Sequence, residues 1–145
     1  MKNGSLPCIQ YTVLDEKDPE GIHVSSNWSE RHAAYASGLG TFCLSRGLIS
    51  SKGVAGRYAS IIVSEYFEPD ERTYTGIYDY CIHCGACIRR CPVNAITLED
   101  GKNQRICKEW IDKTSERYAP RYGCGKCQTV VPCESRIPDP VFRGD

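Results

Sequence analysis

A chain of 145 residues with 18 acidic and 18 basic side chains has room for one ordinary domain, or for two small ones that share a core. Its hydrophobic share of 41% argues against general disorder, and its zero formal net charge offers no field to draw in a polyanion. No apolar run approaches the ~18 residues of a membrane span, and Met1 to Cys8 lack the apolar centre of a signal peptide.

The chain is therefore expected in the cytoplasm, where thiols stay reduced. Ten cysteines in that compartment read as metal ligands rather than as disulfides. An Asn27-Trp28-Ser29 sequon is a chance match in the same setting.

Taken in order, residues 9–14 (Ile-Gln-Tyr-Thr-Val-Leu) predict a strand, because they are β-branched and aromatic with rough alternation. A polar turn containing Pro19 and Gly21 follows, and Cys8 reads as a bystander. Ser26 or Asn27 is expected to cap a helix, with Glu30 in its first turn and Gly38 as its stop. Trp28, Ala33, Ala34 and Ala36 give that helix a small-residue face suited to tight packing. Gly38 to Cys43 begins like a dinucleotide fingerprint but lacks the third glycine, and Ser51 to Gly56 fails the phosphate-loop pattern. Cys43, between Phe42 and Leu44, reads as a small buried hydrophobe. Residues 58–67 are the best strand signal in the chain, continuous enough in the middle to be covered on both faces. A tyrosine-rich connector over 74–80 serves either to shield a buried centre or simply to pack.

The next stretch dominates the chain. Cys81, Cys84, Cys87, Cys91 and Pro92 spell C-x2-C-x2-C-x3-C-P, the ligand run of bacterial [4Fe–4S] proteins. Three thiolates two residues apart wrap one corner of a cubane, while the fourth points away toward a second cluster. Gly85 is expected where a Cβ would crowd the inorganic core, and Pro92 fixes the exit from Cys91. A structural zinc site is the competing reading, although four cysteines this crowded and followed by proline are unusual for zinc. His83 is awkwardly placed for a ligand, and Arg89, Arg90 and Lys126 put positive charge near the thiols.

Beyond Pro92, a helical turn over 93–96, a strand over 96–99, a hairpin at Asp100-Gly101 and an antiparallel return through Arg105-Ile106-Cys107 are predicted. Cys107, Cys124, Cys127 and Cys133 complete the inventory, bringing the candidate ligands to eight thiolates, enough for two [4Fe–4S] clusters. With ligands exchanged as in two-cluster ferredoxins, Cys81, Cys84, Cys87 and Cys133 hold one cluster, and Cys91, Cys107, Cys124 and Cys127 the other. One cluster plus a zinc bound by the late four cysteines is the alternative.

The run Arg31 to Gly40, the run Cys81 to Pro92 with Ala95-Ile96, and Tyr122 to Gln128 together resemble the C-terminal half of epoxyqueuosine reductases, over roughly residues 25–138. The corrinoid-dependent reductive dehalogenases are similar but more distant. The resemblance implies an α+β fold, with a bacterial ferredoxin-like two-cluster domain following a partial nitroreductase-like α/β segment. It divides the chain into a reductase-like part over 1–75, an iron–sulfur domain over 76–140 and a tail over 141–145. It also implies cobalamin as a further cofactor, with Gly38, Leu39 and Gly40 in the corrinoid-binding half. Two departures stand out. The second cysteine motif ends Val131-Pro132-Cys133-Glu134 where the family has Cys-Pro, and only about 25 residues precede the resemblance.

The chain is accordingly expected to be a truncated or split form with no catalytic residue assigned. An iron–sulfur electron carrier serving a redox partner or a missing reductase half is the leading expectation, with sheet edges in the N-terminal half expected to make it a homo-oligomer or to oblige a partner. A corrinoid-dependent reductase, or a subunit of one, is the second, and a zinc-binding interaction module the third. Balanced charge without a basic stripe gives no sign of direct nucleic-acid recognition.

Overall fold

The computed structural model describes residues 28–140, together with the backbone of two short strands, Thr12–Leu14 (β1) and Val24–Ser26 (β2). These pair antiparallel, Thr12 opposite Ser26. β1 falls within the strand predicted over 9–14, whereas the polar turn, Cys8 and Asn27 lie outside the described residues.

Helix α1 spans Glu30–Ala36, and its cap is Ser29 rather than Ser26 or Asn27. Ser29 is extended (φ −127°, ψ 110°) and its hydroxyl accepts from the His32 amide, while Ser26 is committed to β2. The predicted stop holds: Gly38, at φ 86°, donates its amide to the Tyr35 carbonyl. Ala34 is the buried member of the small-residue face.

A tight hairpin follows, Gly40–Phe42 (β3) against Leu48–Ser50 (β4), with Thr41 opposite Ile49. A Cβ on Gly40 would lie 2.1 Å from the Ile49 carbonyl oxygen, so the bare backbone serves this pairing. The segment 58–67, expected as a covered strand, forms no strand and lies exposed. Its β-branched residues favour a pleated, partly buried surface, and among the described residues no neighbouring strand supplies one. The tyrosines of 74–80 pack instead. Tyr74 is buried between Tyr35 (5.3 Å) and Tyr80 (5.6 Å), and its hydroxyl donates to the Tyr35 carbonyl.

Helix α2, Ala86–Arg89, is a single turn after Gly85. Gly85 has φ 67°, a left-handed value that favours glycine independently of any crowding. Chain exit at Pro92 leads through a turn into a minimal hairpin, Ile96–Thr97 (β5) and Gly101–Lys102 (β6). The expected return strand at 105–107 is the first turn of a long helix, α3, over Gln104–Tyr118. Asn103 explains the switch: its side chain accepts from the Ile106 amide and starts a helix where the hairpin has already ended.

One small core joins the two halves of the chain. Cys43, Ile49, Val54, Ala86 and Val131 are buried together, with Tyr80, Cys81, Cys84 and Cys133 packed against them. The result is an α+β arrangement of three two-stranded sheets and three helices among the described residues. No helix among them is long and apolar enough to cross a membrane.

Candidate metal centre

The cysteine loop at 81–91 is fastened from both sides. The Cys81 amide bonds the Tyr78 carbonyl, and the Cys91 amide bonds the Ile88 carbonyl. Behind it, the Tyr80 amide donates to the Thr41 hydroxyl (2.9 Å), anchoring the loop entrance to β3. Arg89 reaches back to the Cys84 carbonyl (3.1 Å), and Arg90 donates to the Lys126 carbonyl (3.0 Å). Two of the predicted positive charges therefore act as staples, and Arg90 ties the first cysteine loop to the second.

Cys133 arrives from the far end of the chain. The Val54 amide bonds its carbonyl (2.8 Å), and the Ala55 amide bonds the neighbouring Glu134 carbonyl (3.1 Å). Gly53 makes this approach feasible, because a Cβ there would lie 2.2 Å from the Glu134 carbonyl oxygen.

These fastenings produce an apolar cavity bordered by Cys81, Cys84, Cys87 and Cys133, with Cys43 and Cys127 also on its wall. Burial pushes the Cys133 thiol up to about 12, and the neighbouring Cys43, Cys81, Cys84 and Cys87 add to the shift. Cys87 is likewise pushed up to about 12, by burial first and then by Cys43, Cys81, Cys84 and Cys127.

A second group forms around α3. Burial raises the Cys107 thiol, Lys102 opposes the shift, and Cys127, Cys91 and Cys124 reinforce it. Cys107 sits in the first turn of α3, whose start is tied to the other loop by the Asn103 amide on the Ala95 carbonyl (2.7 Å). Ala95 also donates its amide to the Cys91 sulfur (3.2 Å). Further along α3, the buried Thr114 hydroxyl accepts from the Gly123 amide (3.2 Å), drawing the Cys124 loop toward the helix. Cys127 lies between the groups, bordering the first cavity while acting on Cys107.

Among the described residues, no three His, Cys, Asp or Glu side chains close on a point as a lone metal ion requires. A cubane asks for something wider, since each thiolate binds a different iron. The donor set fits that group, being all sulfur and half-buried. His83 is exposed beside Tyr78.

Cys43 is buried, as expected of a small hydrophobe, yet it borders the same cavity. Its thiol contacts the Ser45 hydroxyl (3.2 Å) and the Gly47 carbonyl (3.4 Å). Nothing in its local sequence points to this proximity, because the hairpin β3–β4 delivers it from 38 positions upstream of Cys81.

Of the residues linked to a corrinoid, Gly38 faces the backbone of Asp70 and Arg72, and Gly40 faces Ile49. Leu39 borders an opening of about 570 Å³ together with Trp28, Ala33, Ala34 and Ile62.

A model of the 4Fe-4S binding domain matches residues 74–97, the stretch that contains Cys81, Cys84, Cys87 and Cys91. Over 75 residues the chain is 33% identical to the epoxyqueuosine reductase of Listeria monocytogenes, covering 46% of this chain and 19% of that protein. Over 114 residues it is 30% identical to the epoxyqueuosine reductase of Staphylococcus aureus, covering 72% of this chain and 29% of that protein. The matched regions thus span less than a third of either relative. No solved structure matches the chain. Residues 74–97 are a 4Fe-4S binding domain, and the chain around them resembles the iron–sulfur half of epoxyqueuosine reductase-like proteins.

Proposed function

We propose that the chain is an electron-transfer protein with two [4Fe–4S] clusters, passing single electrons to a partner reductase. One observation carries this reading. Cys81, Cys84, Cys87 and Cys133 border one cavity, while Cys91 takes the Ala95 amide beside the start of α3, where Cys107 lies. This grouping favours the crossed ligation inferred from spacing, with Cys91 leaving its own loop to serve the second set. Each bound cluster supplies reversible one-electron chemistry, and the chain supplies position and tuning. The Ala95 amide on the Cys91 sulfur would favour the electron-rich form of a cluster held there. Aliphatic walls from Ile49, Ala86 and Val131 keep water from the first set.

The division into a nitroreductase-like segment over 1–75 and an iron–sulfur domain over 76–140 belongs to the same reading, with the core around Ile49 and Ala86 joining the two.

A second reading makes the chain a subunit of a corrinoid-dependent reductase. The similarity to epoxyqueuosine reductases favours it, as does the apolar opening beside Leu39.

Metal analysis separates the readings. Protein made with cobalamin supplied and purified without oxygen is expected to hold about eight irons per chain and no cobalt. One cobalt per chain transfers the case to the corrinoid reading. About four irons with one zinc overturns the two-cluster assignment.

A further inference from the structure

On the face of β4 away from the thiols lies a polar pocket of about 310 Å³. Leu48 borders it, while Ile49, the next residue along β4, borders the cysteine cavity. Three side chains from three separate parts of the chain reach this pocket: Arg31 from α1, Arg57 from the segment after β4, and Gln128, which follows Cys127. The iron–sulfur reading uses none of them.

Their charge outweighs that of the pocket's acid, two guanidinium groups sharing the lining with one carboxylate, Glu30. Among the described residues no carboxylate pairs with Arg31 or Arg57, the recorded ion pair being the distant Lys108–Asp112. Arg31 spends one guanidinium nitrogen on the Arg46 carbonyl. Glu30 also borders the pocket, but its carboxylate is engaged elsewhere, accepting from the Trp28 indole (3.1 Å) and the Ser60 hydroxyl (2.6 Å). Partial burial lowers the Arg31 guanidinium from its ordinary value; the like charges of Arg57 and Arg46 deepen the shift and Cys43 opposes it. Two cations in one another's field, with a single carboxylate whose oxygens are turned to Trp28 and Ser60, gain from an anion that enters.

We propose that this pocket binds a phosphate group, carried free or as a monoester. A planar carboxylate satisfies one guanidinium fork, whereas a tetrahedral phosphate presents oxygens to several donors converging from different directions. Two guanidinium groups against one carboxylate leave the lining net positive, and the Gln128 amide, whose nitrogen lies near Gly47, adds a neutral donor at the pocket wall. The space exceeds that of phosphate alone and admits the body of a small ester.

The test is calorimetric titration of the full-length, cluster-loaded protein with inorganic phosphate and, separately, with ribose 5-phosphate, in chloride buffer free of other oxyanions. Saturable binding is expected, weakened about tenfold or more by Arg57→Gln and by Arg31→Gln, since each removes a charge-assisted hydrogen bond. Lys52→Gln, exposed and away from the pocket, should bind as the parent does. Equal affinity for the two probes identifies a free-phosphate site, and tighter binding of the ester identifies a monoester site. No saturation with either probe overturns the proposal, as does saturation undiminished by Arg57→Gln. Iron content measured on the same samples keeps the outcome separate from the fate of the two-cluster reading.

Discussion

At the scale of single residues, Cys91 is the most informative position. Its loop neighbours Cys81, Cys84 and Cys87 border one cavity with Cys133, while its own sulfur acts on Cys107 and takes the Ala95 amide. Under crossed ligation, Cys91→Ser should erode the cluster built on Cys124 and Cys127 while sparing the one built on Cys81. Electron paramagnetic resonance of the reduced variant distinguishes the two. Loss confined to the first cluster means that the ligands are not exchanged. The cysteine spacing made this experiment legible in advance, because C-x2-C-x2-C-x3-C-P is a local code. Arg90 and Cys43 were harder to read. A backbone carbonyl 36 residues away and a cavity wall built from a hairpin leave no mark in the neighbouring sequence.

At the scale of elements, the turn after β4 sets where Cys133 can lie. Gly53 combines φ 83° with a Cβ position 2.2 Å from the Glu134 carbonyl oxygen. Gly53→Ala should cost on the order of 1–3 kcal/mol, because strained backbone and displaced neighbour add together. It should also loosen the metal site through Cys133. Gly56→Ala, where a Cβ meets nothing within 4 Å, is the matched control and should leave the thermal midpoint nearly unchanged. Equal effects from the two substitutions would mean that the Gly53 contact is not what holds the C-terminal loop.

Helix α3 teaches a related lesson about what the sequence conceals. Ile106 and Cys107 read as a strand because a hairpin signal precedes them, and the Asn103 cap that redirects them is a single side-chain bond. Short hairpins stop where capping offers the next residues a better partner.

For the whole molecule, the decisive feature is what remains uncovered. Ile61 is 86% exposed and Ile62 98% exposed, with Tyr66 and Phe67 close behind. A run this apolar and β-prone is a template for pairing with another chain. Sedimentation of the purified protein at rising concentration should show self-association. Ile61→Lys combined with Ile62→Lys should abolish it while leaving the iron content intact. A parent protein that stays monomeric throughout overturns this expectation.

The sequence by itself determined the chemistry of the centre, since ligand type and spacing are local properties that survive any rearrangement elsewhere. It also marked the end of α1 at Gly38 and the burial of Cys43, both decided by nearest neighbours. Only the tertiary structure decided that Cys43 joins the cysteine cavity, which backbone contacts the bare Gly40 and Gly53 positions serve, and that residues 58–67 form no strand among the described residues. These outcomes depend on contacts between segments far apart in the chain. A strand needs a second strand, so its absence cannot be read from the segment alone.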